Sequence, residues 1–172
     1  EKILDTLKAH NAHGSFFILE NLIVRNPELV LRMKDEGHLI CNHTAKHRNM
    51  ANITDIEVFR AELESLENSY KELTGADLAK IYRPPEGRFS KKNLEFAKSL
   101  GYKTVFWSFA YADWDNNNQM SPESALNKVM SRMHNGAVIL LHPTSSTNAK
   151  ILPELIKKLK AEGYTFKTAD EL

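Results

Sequence analysis

The chain has 172 residues, of which 42% are hydrophobic and 26% are charged, so its length and composition suit one globular domain and exclude a disordered chain. The 23 Lys and Arg residues nearly balance the 22 Asp and Glu residues, and a formal net charge of +1 gives no strong basic surface for nucleic acid. The one cysteine, Cys41, excludes an intramolecular disulfide and a zinc site built from cysteines. No apolar stretch approaches the roughly 18 residues that cross a bilayer, so the sequence predicts no transmembrane segment.

In the first half of the chain, helical and strand patterns alternate. Thr54 and Glu57 have the spacing of a capping box, in which each side chain bonds the backbone at the other end of the first helical turn. Gly75 is a suitable end for the helix that they begin. The patterns predict helices over 1–10, 27–36 and 54–73, with strands over 14–20, 38–43 and 80–83.

The second half of the chain continues the alternation. Ser90 and Ser121 precede helical patterns and are suitable N-caps. Pro153 lies inside the last predicted helix, where it should kink the helix or delay its regular start. The patterns predict helices over 91–100, 122–134 and 148–162, strands over 102–109, 137–142 and 164–168, and a final helical turn.

The alternation of strands and helices indicates the fold class. Strands joined by helical connections form parallel sheets with helices outside, and strands as apolar as these are buried on both faces. The sequence therefore predicts an α/β fold in one domain over residues 1–172. Periodicity alone does not decide whether the sheet closes into a barrel. Because the first element is a helix, and a helix normally follows a strand in such folds, we expect one further strand upstream of residue 1.

Two histidines stand four residues apart at the end of the second predicted strand. Leu39, Cys41 and His43 share one face of this strand, and His43 is the last residue on that face. One helical turn after His43 would bring His47 beside it. Two imidazoles can bind Zn²⁺ or a similar ion together with at least one further ligand, and the alternative is a solvated loop that contains two histidines.

Three other predicted strands also end in polar residues, at the edge where parallel α/β folds carry their functional groups. Arg83 could orient a carboxylate, although an arginine in this position is more often a surface residue or half of an ion pair. Asp113 and Trp114 could pair a charge with an aromatic wall for a sugar, or residues 115–118 could form an ordinary polar loop with Trp114 packed on the core. His142 is the residue type best suited to donate a proton near neutral pH.

Together and in this order, these motifs resemble the polysaccharide deacetylase family, also called the NodB-homology or carbohydrate esterase family 4 domain. The family's H-[ST]-x-x-H motif corresponds to His43–His47, its R-x-P-P motif or a close form of it to Arg83–Glu86, its aspartate and tryptophan to Asp113 and Trp114, and its L-x-H motif to Leu140–His142. The segments "RPPEGRFS" and "VFWSFAYADWD" are most similar to the branch that removes acetyl from N-acetylmuramic acid to form the δ-lactam of bacterial spore cortex.

The resemblance implies a distorted (β/α) barrel and a metal-dependent hydrolase that removes N-acetyl groups from a sugar. It implies that His43 and His47 are ligands of a divalent metal, Zn²⁺ in the first place, with Co²⁺ and Mn²⁺ as alternatives. The implied partner is a glycan, peptidoglycan, on the cell-wall or spore-cortex side of the membrane. The resemblance does not fix the native metal, the preference between muramic acid and glucosamine units, or the oligomeric state.

The resemblance also implies roles in catalysis. Arg83 would hold the catalytic aspartate, Asp113 would anchor Arg83, and His142 would protonate the departing amine. Trp114 and Leu140 would line the groove and the acetyl pocket. The backbone N–H of residue 86, a glutamate, would help to bind the oxyanion, so Glu86 belongs to the substrate-binding set.

The chain departs from the family pattern in two places. The family's first motif, T-F-D-D-G, supplies the catalytic base and a third metal ligand, and it is absent here, while Asp5 lies in a predicted helix and is no substitute. We therefore expect this motif on the upstream strand that the helix-first order also indicates. Ala110 stands where many family members have another aspartate, so specificity for chitin or xylan is not implied.

Three alternative functions stay open. The chain could be an inactive, sugar-binding remnant of the same fold, because two of three metal ligands would hold a metal feebly. It could also be a deacetylase of N-acetylglucosamine polymers. Finally, it could be an unrelated metallohydrolase that uses His43, His47 and a carboxylate such as Asp113.

Overall fold

Helices and strands alternate along the chain in a computed structural model that describes residues 1–172. The helices are α1 (Lys2–Ala9), α2 (Glu20–Arg25), α3 (Pro27–Asp35), α4 (Ile56–Thr74), α5 (Lys91–Ser99), α6 (Pro122–Met130) and α7 (Ser146–Ala161). The strands are β1 (Ser15–Ile18), β2 (Leu39–Asn42), β3 (Ala79–Tyr82) and β4 (Lys103–Thr104). The strands form one sheet in the order β1-β2-β3-β4 with every pair parallel, so the predicted α/β fold with a parallel sheet is confirmed.

The chain folds into two compact units. The sheet unit contains residues 13–106 and 168–172, and all four strands lie in it. The helical unit contains residues 1–12 and 107–167, with α1, α6 and α7. None of the helices in either unit combines the length and the apolar composition that crossing a bilayer requires.

The sheet unit is held together by strands that are buried on both faces. Neighbouring residues of β2, Ile40 and Cys41, are 4% and 0% exposed, so both faces of the strand are covered, as expected for a parallel sheet. Burial raises the pKa of the Cys41 thiol to about 12, which leaves it protonated and unreactive. The pairing of β2 with β3 shifts register between Cys41 and Asn42. This irregularity lies immediately before His43 and redirects the chain at the strand end.

An aromatic cluster joins α4 to the sheet. The ring of Phe59, on α4, is fully buried and lies 5.8 Å from the ring of Tyr82 and 5.7 Å from that of Phe96. The rings meet edge-on or tilted, which is the favoured arrangement for aromatic pairs. Met50, Leu63 and other buried residues complete this core. The cluster therefore fixes α4 against the end of β3, one residue before Arg83.

The start of α4 differs from the prediction. The N-cap is Asp55, whose carboxylate accepts a hydrogen bond from the backbone N–H of Glu57 at 2.8 Å. Thr54 is therefore not the cap, and the predicted capping box with Glu57 is wrong by one residue. Aspartate caps at least as well as threonine, so the helix begins where the carboxylate reaches the first free N–H groups. The predicted end is confirmed, because Gly75 closes α4 in the left-handed conformation at φ +69°.

The capping assignment can be tested by stability. Replacing Asp55 with alanine should lower the free energy of unfolding by about 1 kcal/mol, because an N–H group of the first turn loses its acceptor. Replacing Thr54 with alanine should change it by less than about 0.5 kcal/mol, as for other exposed surface positions. Urea unfolding of both variants measures the difference. Equal effects of the two substitutions would contradict Asp55 as the cap.

The helical unit is built on the packing of α6 and α7. Val129 on α6 and Leu155 on α7 are 0% and 2% exposed and belong to one apolar cluster. Ser121 and Ser145 cap the two helices, accepting hydrogen bonds from the N–H groups of Ser124 and Asn148. Helix α7 begins at Ser146, well before Pro153, so the prediction that this proline delays the helix is wrong.

Three predicted strands do not form as expected. The sequence 102–109 gives only the short β4 and an isolated parallel bridge of Phe109 to Ile139, and that bridge is all that remains of the strand predicted over 137–142. The backbone N–H of Ser108 donates to the carbonyl of Val138 and that of Leu140 to the carbonyl of Phe109, and the hydroxyl of Ser108 also bonds the N–H and carbonyl of Val138, so the pairing is confined to these few residues. Residues 164–168 form no strand.

One helix was missed by the sequence patterns. Helix α2 occupies six residues, Glu20–Arg25, and begins at the last residue of the segment predicted as a strand over 14–20. It buries only Ile23 and leaves Val24 75% exposed, so it lacks the apolar stripe that identifies a longer helix. The final helical turn is confirmed as a 3₁₀ helix over Ala169–Glu171.

Candidate functional site

The side chains singled out by the sequence fall into two groups, one in each unit. The sheet unit contains one group and the helical unit contains the other. The first consists of His43, His47, Arg83 and Glu86, and the second of Asp113, Trp114, Leu140 and His142.

The two histidines of the sheet unit lie side by side. Their ring centroids are 5.1 Å apart, with the rings at 76° to each other. Nδ1 of His43 lies 2.7 Å from the carbonyl oxygen of Arg83, and because a carbonyl can only accept, this nitrogen carries the hydrogen. The lone pair of His43 is therefore on Nε2. A backbone carbonyl that fixes the tautomer in this way is typical of histidines that bind metals.

The turn that brings His47 to His43 is not the predicted helical turn, because residues 43–47 form no helix. Instead, Thr44 and His47 both have left-handed backbone conformations, with φ of +73° and +53°. The N–H of His47 donates to the hydroxyl of Thr44 at 3.0 Å, and the N–H of Thr44 donates to the side-chain oxygen of Asn42 at 2.8 Å. The predicted proximity of the two histidines is confirmed, but side-chain hydrogen bonds and strained backbone produce it.

A buried glutamate holds the middle of this loop. Glu62, on α4, is 6% exposed, and its carbonyl oxygen accepts the N–H of Ala45 while its carboxylate accepts the N–H of Lys46. Arg48 lies 3.4 Å from the same carboxylate. Sequence reasoning missed Glu62 because it lies on the helix pattern of α4, where a glutamate is ordinary.

Arg83 continues β3 into the same region. Its N–H donates to the carbonyl of Asn42, and its guanidinium carbon lies 4.7 Å from the ring centre of Phe17. This is a cation–π contact with a residue of β1. Burial lowers the pKa of Arg83 to about 10. The guanidinium is thus a partly desolvated charge, and a desolvated charge attracts an anion more strongly than a hydrated one.

Glu86 lies in a tight turn after Arg83. The turn is a 3₁₀ helix over Pro85–Gly87, and Glu86 itself has φ +56°. Its carboxylate pairs with Arg88 at 2.8 Å on the surface. Of the four non-glycine residues with positive φ, three are Thr44, His47 and Glu86, all at motifs that the sequence singled out. Strained backbone of this kind accumulates at functional sites.

In the helical unit, Asp113 and His142 form a close pair. Nδ1 of His142 lies 2.6 Å from one carboxylate oxygen, and the backbone N–H of His142 donates to the other oxygen at 2.7 Å. Asp113 is fully buried, whereas the His142 side chain is 35% exposed. The carboxylate therefore fixes the ring orientation and the tautomer, and Nε2 is the nitrogen available for proton transfer.

Asn148 supports this pair and was not found from the sequence. Its side-chain N–H groups donate to Asp113 at 2.5 Å and to the carbonyl of His142 at 3.1 Å, and its oxygen accepts from Tyr111 at 2.5 Å. Burial alone would raise the pKa of Asp113, but the hydrogen bonds from His142 and Asn148 outweigh burial and lower it. Asp113 is thus held as a carboxylate. No sequence pattern marks an asparagine in the first turn of α7 for this role.

The hydrogen bonds of Asp113 lie within the helical unit. Both carboxylate oxygens accept from His142, and one of them also from Asn148. The contact with Arg83 that the resemblance implies stays a prediction. Asp113 is therefore placed to orient His142.

Trp114 and Leu140 flank this pair in the sequence. Trp114 is 64% exposed, so it is not the packed core residue that one reading allowed. Ile139 and Leu141 pack on the apolar cluster of the helical unit, and Leu140 alternates with them along the chain. The Trp114 side chain is thus available for contact with a ligand, and Leu140 is half-buried.

The histidine pair fits a metal ion as two of its ligands. The fixed tautomer of His43 and the neighbouring ring of His47 suit Zn²⁺, for which imidazole is a preferred donor. No three His, Cys, Asp or Glu side chains in the structure are grouped so that they could hold a metal together. Asp5 lies in α1, as predicted, and is exposed.

Known proteins share both sequence and fold with this chain. It is 41% identical to the peptidoglycan-N-acetylmuramic acid deacetylase PdaA of Bacillus subtilis, over 99% of this chain and 65% of that protein. It is 33% identical to the peptidoglycan-N-acetylglucosamine deacetylase PgdA of Listeria monocytogenes, over 99% of this chain and 35% of that protein. The chain thus spans less than two thirds of the length of these curated relatives.

Solved structures of related proteins have the same fold as this chain. The structure of Bacillus subtilis PdaA, a family 4 carbohydrate esterase, matches with a TM-score of 0.94 over 99% of this chain and 73% of that chain. A family 4 pseudoenzyme from Bacillus anthracis matches with a TM-score of 0.90 and 27% identity, over 99% of this chain and 59% of that chain. The family model of polysaccharide deacetylases matches residues 1–105, which is more than half of the chain. The chain therefore belongs to the polysaccharide deacetylase family, the NodB-homology or carbohydrate esterase family 4 domain.

Proposed function

We propose that the protein is a metal-dependent hydrolase that removes N-acetyl groups from bacterial cell-wall glycan, with N-acetylmuramic acid of peptidoglycan as its substrate. The observation that carries this proposal is the pair of Asp113 and His142, a buried carboxylate that orients a half-exposed imidazole. The similarity to PdaA supports muramic acid as the substrate. The site of action is then outside the cytoplasm, at the cell wall or spore cortex.

His43 and His47 would hold the metal, Zn²⁺ in the first place and Co²⁺ or Mn²⁺ as alternatives. When bound, such an ion polarises the amide carbonyl and lowers the pKa of water toward about 7. The carbonyl of Arg83 keeps Nε2 of His43 unprotonated, and the Thr44 turn keeps His47 in place. The protein thus supplies the two nitrogens in a fixed arrangement, which limits the loss of entropy on binding.

His142 would donate the proton that the departing amine needs. An amide nitrogen cannot leave as an anion, so its protonation must accompany cleavage of the C–N bond. The carboxylate of Asp113 fixes Nδ1–H toward itself and stabilises the imidazolium before the proton is passed on from Nε2. Asn148 and the backbone of His142 keep Asp113 ionised for this purpose.

The remaining residues would bind and orient the substrate. The desolvated guanidinium of Arg83 would hold the carboxylate of the catalytic base through charge-assisted hydrogen bonds. The strained turn at Glu86 would direct a backbone N–H toward the oxyanion. Trp114 would stack on a sugar ring, and Leu140 would contact the acetyl methyl group.

The test is the release of acetate from defined substrates by the full-length protein with added zinc. We expect acetate from peptide-free peptidoglycan oligosaccharides, with one acetate lost per N-acetylmuramic acid residue by mass spectrometry. A matched chitin oligosaccharide, which contains only N-acetylglucosamine, is the control for the alternative substrate. Release from the chitin oligosaccharide alone would replace muramic acid with glucosamine in this proposal.

A second candidate is an inactive, sugar-binding member of the family. The observation in its favour is the similarity to the Bacillus anthracis pseudoenzyme, which is 27% identical over 99% of this chain. This candidate predicts binding of oligosaccharides with no release of acetate at any zinc concentration. The acetate measurement separates the two functions directly.

A further inference from the structure

A cavity lies beside the histidine pair in the sheet unit. It has a volume of about 450 Å³ and is lined by α2 with the residue before it and by the loop over 45–47, so that His47 forms part of its wall. A volume in this range suits one sugar residue with its substituents. The cavity has no role in the hydrolysis described above. The lining residues are therefore candidates for binding a group of the substrate other than its acetamido group.

The lining contains two cations without a partner in the chain. Neither Arg25 nor Lys46 forms a side-chain hydrogen bond or an ion pair, and both are exposed. Other arginines of the same unit are paired with glutamates, namely Arg32, Arg48, Arg60 and Arg88. Arg25 thus differs from these four arginines, and it lines the cavity.

The one acidic residue of the lining is already occupied. The carboxylate of Glu20 accepts hydrogen bonds from the hydroxyls of Ser65 and Ser69, each at 2.8 Å, and both serines lie on α4. Glu20 is therefore tied to α4 and forms no ion pair with Arg25 or Lys46. The cavity keeps two positive charges, which favour an anionic ligand.

The cavity also has an apolar surface. Val24, on α2 next to Arg25, is 75% exposed, and it is one of the few large hydrophobic residues that are exposed. A valine in that position can contact a methyl group of a ligand. The ligand is thus expected to carry a carboxylate with an apolar group close to it.

We propose that this cavity binds the lactyl group of N-acetylmuramic acid, with its carboxylate on Arg25 and Lys46 and its methyl group on Val24. The proposal rests on the proposed function. The lactyl group is attached to C3 of the sugar, next to the carbon that bears the acetamido group, so a sugar with its acetamido group at the histidine pair presents it beside His47. N-acetylglucosamine has a hydroxyl at the same carbon. Arg25 and Lys46 therefore determine specificity for muramic acid.

The test compares two tetrasaccharides, one from peptide-free peptidoglycan with muramic acid residues and one from chitin. In the double variant Arg25→Gln with Lys46→Gln, kcat/KM for the peptidoglycan tetrasaccharide should fall about 10- to 100-fold, the range for lost hydrogen bonds between charged groups. The value for the chitin tetrasaccharide should stay within about threefold. The Arg25→Lys variant, which keeps the charge, should retain most of the preference.

The matched control removes the same charges elsewhere in the sheet unit, with Arg60→Gln and Lys98→Gln, and should change neither value. Affinities of the chelator-treated protein for both tetrasaccharides, by calorimetry, give a readout without turnover. If the protein releases no acetate but the cavity variant selectively loses affinity for the muramic acid ligand, the function is wrong and the cavity assignment holds. Three results would overturn the cavity assignment. The variant could lose affinity equally for both ligands, it could lose none, or the unmodified protein could fail to bind the muramic acid ligand.

Discussion

The His142→Ala variant should release acetate about 10²- to 10⁴-fold more slowly than the unmodified protein, which is the range for loss of a general acid. The amide nitrogen would have no proton donor, because Asp113 is fully buried and its oxygens are taken by His142 and Asn148. The measurement is the initial rate of acetate release from peptide-free peptidoglycan fragments at a fixed zinc concentration.

This substitution should leave the fold intact. The backbone N–H of residue 142 still donates to Asp113 in the alanine variant, and the His142 side chain is 35% exposed, so little packing is lost. His134→Ala is the matched control, because His134 is an exposed histidine of the same unit that was assigned no role. A His142→Ala protein that keeps more than about a tenth of the rate would contradict the assignment of His142 as the acid.

The His43→Ala variant should lose both its metal and its activity. A substitution of a residue that only supports a ligand typically lowers metal affinity or activity by about 10- to 100-fold, and loss of a ligand should exceed that range. Zinc content after dialysis and the rate of acetate release measure the two effects. His13→Ala is the control, since His13 is an exposed histidine of the same unit. Unchanged zinc content in the His43→Ala protein would remove the histidine pair from the metal site.

Arg83→Ala separates the deacetylase from an unrelated metallohydrolase. In the deacetylase, Arg83 orients the catalytic base, so its loss should abolish activity while zinc binding persists. In a metallohydrolase that needs only His43, His47 and a carboxylate, the same substitution should be harmless. The guanidinium lies on Phe17 and is partly desolvated, so circular dichroism must first establish that the variant is folded.

Local signals in the sequence predicted most helices correctly. Helix caps involve only residues within one helical turn, as at Ser90, Ser121 and Gly75. Because these interactions are local, neighbouring residues in the sequence are enough to predict them. The strands predicted over 102–109 and 137–142 failed because pairing depends on the partner segment. There the pairing is limited to the bridge of Phe109 to Ile139 and the bonds of Ser108 to Val138, 30 residues away.

The sequence predicted that His43 and His47 lie close together, but it did not predict the residues that support the two groups of candidate side chains. The histidine pair followed from strand alternation and a spacing of four, although the turn between them is built differently. Glu62 and Asn148 were missed because their contacts span 16 and 35 residues of sequence. Both residue types are common in helices, so the sequence does not mark them. Only the folded chain shows that Glu62 supports the histidine loop and that Asn148 supports the pair of Asp113 and His142.

Asn42 shows what this implies for protein engineering. Its amide donates to Leu63 and to Tyr102, its side-chain oxygen accepts from Thr44, and its own carbonyl accepts from Arg83. One fully buried residue therefore joins two strand ends, a helix and the loop that ends in the second histidine. Transplanting the histidine motif into another α/β scaffold would fail without this asparagine and its acceptors, since the H-T-x-x-H motif itself supplies only the bond of Thr44 to His47 and not the support of Thr44 by Asn42.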